Sequence, residues 1–207
     1  MITKTINLYT FNELSNSAKE RARQWWREAS SDDTFWSECV IDDAKEQGRN
    51  MGLDIDKVYF RGFWSQGDGA CYVGSWNANR VKVGETAKGW GDSPATKEIR
   101  RIASEFEQFA QKWPESSFTV EHRGHYSHEN CTSFSVSLGE DADNNEEITP
   151  EQWREAHDWI VNISRDYMRW IYKQLEKEYE YQNSDEVIDE LLESNNYTFT
   201  VEGKRED

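Results

Sequence analysis

A long stretch of helical periodicity near the C-terminal end constrains the fold of this chain more than any other feature. Thr149, Pro150 and Gln152 form a sequence typical of a helix start, and the pattern continues to about Tyr181. Apolar residues recur along it at intervals of three and four residues, at Trp153, Ala156, Ile160, Ile163, Tyr167 and Ile171. Because one face of this helix is apolar along its length, we expect it to pack against another layer of secondary structure.

Short segments of alternating polarity predict strands that pair as antiparallel hairpins. The predicted pairs are residues 57–63 with 70–76 and residues 117–122 with 131–138, and single strands are predicted at residues 2–10 and 197–201. The first hairpin turn contains Gly67 and Gly69, which permit positive φ. The strand at the N-terminal end would place Ile2, Ile6 and Leu8 on one half-buried side.

Four shorter helices are also predicted. They cover residues 18–29, 33–51, 93–113 and 184–193. Ser17 and Glu20 form a capping box for the first helix, and Gly52 would end the second. The inner face of the second helix is predicted to hold Phe35, Cys39 or Val40, and Ala44.

Together these elements predict an α+β fold. The expected architecture is an antiparallel sheet built from hairpins, packed with a long C-terminal helix and several shorter helices. We interpret residues 1–207 as a single domain, with an acidic helical C-terminal part at about 139–207.

Composition limits the classes of function that the chain can have. The 207 residues include 24 basic and 40 acidic side chains, for a formal net charge of −16, which excludes an ordinary basic nucleic-acid-binding domain. Ten Trp and nine Tyr predict an aromatic-rich core. No segment resembles a transmembrane helix or a signal peptide, so we expect a cytoplasmic protein without direct membrane contact. Three widely spaced cysteines favour reduced thiols.

The negative charge is concentrated in the last third of the chain. Residues 1–138 carry a net charge of −3, whereas residues 139–207 carry −13. One interpretation is a solvated face that keeps the protein soluble. The other is an acidic surface that mimics nucleic acid or docks on a basic partner.

A cysteine and a histidine suggest one enzymatic hypothesis. Gly67, Asp68 and Gly69 precede Cys71 closely, and His125 is followed by Tyr126. The first segment resembles the nucleophile motif of OTU-type cysteine peptidases, and the second resembles their histidine–aromatic pair. The resemblance implies a hydrolase that uses Cys71 and His125. The alternative is a tight hairpin turn followed by a buried thiol.

Two segments contain residues of the types that bind metal ions. His122, His125, His128 and Cys131 are possible zinc ligands, although they match no standard zinc motif. The loop from Asp141 to Gln152 resembles an EF-hand calcium loop at its first, third, fifth and eighth positions, but it lacks the glycine and the final glutamate. The alternatives are a polar hairpin tip and a solvated acidic loop, and we expect no cofactor.

Three longer segments carry a resemblance to a known group of proteins. They are FRGFWSQGDGACYVGSW at residues 60–76, EHRGHYSHENCTSFSV at residues 121–136 and YKQLEKEYEYQNSDEVIDELLESNNYTF at residues 172–199. Together they resemble bacteriophage and prophage accessory proteins that are often labelled antitoxins of toxin–antitoxin stability systems. The resemblance implies an anti-defence protein that neutralises a host factor by binding it.

Our leading hypothesis is therefore a non-enzymatic inhibitor of a host nuclease, restriction or defence component, or toxin. Its predicted partner-binding residues are Glu176, Glu178, Glu180, Asp185, Glu186, Asp189, Glu190 and Glu193, with Asp141, Asp143, Glu146 and Glu147 as a second patch. A second hypothesis is a protein that binds a nucleotide-like small molecule. Its predicted ligand-binding residues are Trp64, Gln66, Asp68 and Tyr72, with Trp76 and Trp90 as further stacking aromatics.

Overall fold

The chain forms five α-helices and six strands in a computed structural model that describes residues 5–31, 33–139 and 148–206. In chain order they are β1 (Tyr9–Thr10), α1 (Asn16–Ala29), α2 (Trp36–Asn50), β2 (Met51–Arg61), β3 (Gly69–Val81), α3 (Pro94–Lys112), β4 (Ser117–His122), β5 (Thr132–Ser137), α4 (Pro150–Gln182), α5 (Asp185–Ser194) and β6 (Thr198–Phe199). The α+β fold class, the two antiparallel hairpins and the long helix are confirmed.

These elements divide into two compact units. The terminal unit comprises Met1–Glu38 and Lys177–Asp207, and the central unit comprises Cys39–Glu176. The interpretation of the chain as a single domain stays a prediction. No helix within the described ranges is long and apolar enough to cross a membrane.

The central unit is built on a four-stranded antiparallel sheet in the order β2-β3-β4-β5. Trp76 lies at the centre of its buried face, where its ring stacks on Phe118 at 5.6 Å and also packs against Phe106 and Phe109 of α3. The Trp76 indole N–H donates to the carbonyl of Met51 at 2.7 Å, so the buried polar atom is satisfied. The expected aromatic-rich core is confirmed.

Helix α4 covers the same face of the sheet with its apolar stripe. Tyr167 packs edge-on against Tyr72 of β3, and its hydroxyl donates to the carbonyl of Ala44. Trp170 donates to the carbonyl of Ala95 at the start of α3. The helix begins with the predicted capping box, in which the Thr149 N–H donates to Gln152 and the Gln152 N–H donates to Thr149.

The terminal unit joins the two ends of the chain. β1 pairs with β6, so that Tyr9 lies opposite Phe199. Between α1 and α5 lies an apolar cluster formed by Phe11, Leu14, Ala18, Ala22, Ile188, Leu192 and Phe199. This cluster fixes the faces that α1 and α5 turn inward.

Several local predictions at the N-terminal end are wrong. The strand expected at residues 2–10 is reduced to Tyr9–Thr10 within the described residues, and Ile6 and Leu8 are exposed. Ile2 lies outside the described residues. The N-terminal cap of α1 is Ser15, whose side chain accepts from the Ala18 N–H, rather than Ser17.

Helix α2 also differs from its prediction at both ends. The Asp33 carboxylate accepts from the Phe35 N–H, which makes a turn before the helix, so α2 begins at Trp36 and Phe35 is 72% exposed. Gly52 does not end a helix. It lies in β2 at a φ of 89°, because the chain passes directly from α2 into the strand.

Candidate partner-binding surface

Helix α5 has an apolar side that faces the terminal-unit cluster. Ile188 and Leu192, four residues apart, are fully buried. Ser184 caps the helix by accepting from the Val187 N–H. With this side fixed, the five carboxylates of α5 fall into two groups that have different surroundings.

The first group pairs with arginines of α1. Arg23 donates from its Nε to Oδ1 of Asp189 at 2.6 Å and from its Nη2 to Oδ2 at 2.7 Å, and its Nη1 lies 3.2 Å from Asp185. Arg27 donates to Asp185 at 2.6 Å. The hydrogen bond with Asp189 raises the pKa of Arg23, despite the opposing effect of burial. Asp185 and Asp189 therefore hold α5 against α1.

The second group is a row of exposed glutamates on the outer side of α5. Glu186, Glu190 and Glu193 are all exposed, at intervals of four and three residues. Within the described residues, no ion pair reaches any of the three. α5 has no basic residue in its last turn, so nothing there offsets Glu193 at the negative end of the helix dipole. We call Glu186, Glu190 and Glu193 the free row.

The other predicted partner-binding residues occupy several places. Glu180 is exposed at the end of α4, and Glu178 accepts a hydrogen bond from Gln182. Glu176 belongs to the central unit, where it raises the pKa of Tyr172 as a smaller effect than burial. The second patch lies outside the described residues; it comprises Asp141, Asp143, Glu146 and Glu147.

Only some of the predicted ligand-binding residues are exposed at the tip of the first hairpin. Trp64 is 72% exposed and Gln66 is exposed. Asp68 instead holds the turn together, because its Oδ2 accepts from the N–H groups of Trp64 at 2.9 Å and Ser65 at 2.6 Å. Asp68 thus has a structural role within the turn.

Two aromatic residues assigned to ligand stacking are buried. Tyr72 is fully buried against Tyr167, and Trp76 is the centre of the sheet core. The interpretation of Trp76 as an exposed stacking residue is wrong, and the ring of Tyr72 is covered as well, because both side chains point from β3 to the helix-covered face. Trp90 is half-buried and stacks on Trp170 at 6.4 Å.

The geometry around Cys71 does not favour a nucleophile. Cys71 is fully buried in β3, and burial, with smaller effects from Cys131 and Glu129, raises its pKa to about 12. His125 is exposed and packs edge-on against Tyr126 at 5.7 Å. Along the described chain, no hydrogen bond links the Cys71 thiol to His125.

The candidate metal ligands have other partners. His122 stacks on Tyr59 at 4.8 Å, and its Nε2 lies 2.8 Å from the carbonyl of Tyr126. His128 accepts from the Asn130 N–H at 3.1 Å as the cap of a 3₁₀ turn at Glu129–Cys131. Among residues 5–31, 33–139 and 148–206, no three His, Cys, Asp or Glu side chains converge on a possible metal position.

Comparison with known protein families identifies the family to which this chain belongs. The model of a domain of unknown function, DUF8835, matches residues 36–185. The chain belongs to the DUF8835 family. No curated protein and no solved structure matches it.

The DUF8835 match covers the whole four-stranded sheet and ends at the first residue of α5. Arg23 and Arg27 lie before the matched segment, and sequence reasoning missed them as partners of Asp185 and Asp189. A signal was present, because both pairs are spaced four residues apart on their helices. Nothing in the sequence, however, indicates that α1 and α5 are neighbours.

Proposed function

We propose that this member of the DUF8835 family is a non-enzymatic, phage-type inhibitor that acts in the bacterial cytoplasm by binding a basic surface of a host protein. The observation that carries the proposal is the free row, whose three carboxylates are exposed and without ion pairs within the described residues. The resemblance to phage accessory proteins supports a host nuclease, restriction or defence component, or toxin as the partner.

The free row has the properties of an electrostatic docking element. Like charges four residues apart weaken an isolated helix by about 0.2–0.5 kcal/mol per pair, and in α5 no cation offsets this within the described residues. A basic partner would supply the missing positive charge. It would also be steered towards the surface at long range.

The spacing of the row is compatible with mimicry of a phosphate backbone. At a rise of about 1.5 Å per residue, Glu186 and Glu193 lie roughly 10 Å apart along α5. One negative charge therefore occurs about every 5 Å, compared with about 3.4 Å for phosphates along a single strand of DNA. Lysines and arginines that grip DNA phosphates could engage such a row.

A matched pair of variants tests the proposal. The tagged wild type, the Glu186→Lys/Glu190→Lys/Glu193→Lys variant and a control would each be used to capture partners from bacterial lysate, followed by mass spectrometry. The control changes three exposed acidic residues of α2 equally in charge; they are Asp42, Asp43 and Glu46. Circular dichroism would establish that both variants remain folded.

Capture of a nuclease, defence component or toxin by the wild type and the control, but not by the free-row variant, is the expected result. Capture should also fall between about 0.1 M and about 1 M salt, as the Debye length falls from about 10 Å to about 3 Å. Equal capture by both variants would show that the free row is not the docking element. Equal loss from both would indicate that only overall charge matters.

A second candidate function rests on the exposed aromatics of two neighbouring loops. Trp64 and Tyr126 are both exposed, and Tyr126 lies against Gly67 of the first hairpin turn. Such rings could stack on a nucleotide-like molecule. Quenching of tryptophan fluorescence by a panel of nucleotides, lost in Trp64→Ala, would support this function, and unchanged fluorescence across the panel would contradict it.

A further inference from the structure

The two edges of the central sheet are unlike. At one edge, β2 carries exposed charges at Asp54, Asp56 and Lys57, and its pairing with β3 shifts register twice. Both features discourage another strand from adding to an edge. At the other edge, β5 has the sequence Thr-Ser-Phe-Ser-Val-Ser, with no charge, proline or glycine, and its pairing with β4 is unbroken.

Within the described residues, the outer edge of β5 has no backbone hydrogen-bond partner. An edge strand directs about half of its backbone N–H and C=O groups away from its single neighbour. Among the described residues, β4 is the only strand that pairs with β5, and no other backbone hydrogen bond reaches residues 132–137. Ser135 and Ser137 are exposed.

We infer that β5 pairs antiparallel with β5 of a second copy of this chain, so that two central sheets become continuous. The strand is self-complementary about Ser135. A two-fold axis there would place Ser135 opposite itself, Ser133 opposite Ser137 and Phe134 opposite Val136. Hydroxyl pairs and aromatic–β-branched pairs across strands are favourable, and the same side chains stay on the same faces.

Charge also makes the β5 edge more suitable than the β2 edge for pairing with a second copy. With a net charge of −16, two copies repel each other, and a strand of charged residues would add like charges in direct apposition. β5 contributes none. Self-association should therefore strengthen as salt screens the remaining repulsion. This salt dependence is opposite in sign to that of partner capture by the free row, so the two proposals fail independently.

Sedimentation equilibrium of the full chain tests the inference. The wild type should populate a species of twice 24.4 kDa, in a proportion that rises with protein concentration and with salt. Ser135→Lys and Ser135→Glu should each raise the dissociation constant by about fivefold or more, because each new charge faces its own copy. Thr119→Lys serves as the control, since Thr119 is exposed opposite Ser135 on β4, one strand inside the edge.

Mixing the two charged variants separates pairing from a general loss of stability. An equimolar mixture of Ser135→Lys and Ser135→Glu should associate more tightly than either alone, because Lys then lies opposite Glu across the two-fold axis. Amide exchange in residues 132–137 should slow as the wild type associates. A wild type that stays monomeric, or variants that neither weaken association alone nor restore it together, would overturn the inference.

Discussion

Arg23 is the single residue on which the contact between α1 and α5 most depends. Its side chain is only 17% exposed and binds both carboxylate oxygens of Asp189. Arg27 makes a weaker link, because its partner Asp185 is 58% exposed, and solvent screens that pair. The two arginines therefore differ in their expected contributions to stability.

Arg23→Ala should lower the free energy of unfolding by about 1–3 kcal/mol, since hydrogen bonds to charged groups contribute that much when partly buried. Arg27→Ala should lower it by less than about 1 kcal/mol. Urea denaturation followed by circular dichroism measures both. A larger effect for Arg27→Ala would mean that solvent screening does not decide the difference.

Cys71 should be the slowest of the three thiols to react. Burial raises its pKa to about 12, so very little thiolate forms at neutral pH, whereas Cys39 is exposed. We expect iodoacetamide to modify Cys39 in the folded protein and Cys71 only after unfolding in urea, as followed by peptide mass spectrometry. Rapid modification of Cys71 in the folded protein would restore the hydrolase hypothesis.

Among the helices, α5 combines stabilising and destabilising carboxylates. Asp185 and Glu186 lie at the positive end of the helix dipole, whereas Glu193 lies at its negative end and also repels Glu190. Residues that bind a partner are often suboptimal for stability. If the free row serves binding, part of it should be removable with a gain in stability.

Glu190→Gln/Glu193→Gln should accordingly raise the free energy of unfolding by about 0.5–1.5 kcal/mol, through lost repulsion and an improved dipole interaction. The same variant should bind the basic partner less tightly. Asp189→Asn is the contrasting control, and it should destabilise because it weakens the pair with Arg23. A destabilised Glu190→Gln/Glu193→Gln variant would show that the two glutamates have a structural role.

Within α3, the ion pair between Arg101 and Glu98 responds to pH. Arg101 of α3 donates to Glu98 and to Asp166 of α4, and the hydrogen bond from Arg101 lowers the pKa of Glu98 below its ordinary 4.5. A lowered pKa means that Glu98 stabilises the fold fully above pH 4.5 and loses this contribution as the pH falls through the folded-state pKa. Glu98→Gln should therefore show a shallower loss of stability below pH 4.5 in acid titrations of unfolding. An equally steep loss of stability in the wild type and in Glu98→Gln would contradict this prediction.

Elements with strong local patterns were predictable, and those set by distant contacts were not. The stripe of Ile160, Tyr167 and Ile171 defines α4 because each turn of the helix repeats the same requirement for burial. Ile6 and Leu8 show a strand-like alternation, but β6 supplies a partner for only two residues. The prediction that Phe35 lies on the inner face of α2 is wrong for a local reason. Asp33 forms a turn before the helix, and the helical periodicity of the sequence does not reveal this turn.

The net charge of the whole molecule could be counted from the sequence. The sequence could not show which carboxylates form ion pairs within the fold and which remain exposed without them. The terminal unit carries half of the net charge of −16 in a third of the residues. Asp185 and Asp189 look like their acidic neighbours in the sequence. Only the proximity of Arg23 and Arg27, more than 150 positions away, distinguishes them from the free row.

Net charge should also govern how the whole molecule responds to salt. Like-charge repulsion destabilises a compact chain, and screening relieves it more than it weakens the partly buried pairs of Arg23. We expect the urea midpoint to rise between about 0.1 M and about 1 M sodium chloride, a salt chosen because sulfate would strengthen apolar burial directly. The variant Asp42→Lys/Asp43→Lys/Glu46→Lys has a smaller net charge and should show a smaller rise. A midpoint that falls with salt in the wild type would mean that ion pairs contribute more to stability than repulsion removes.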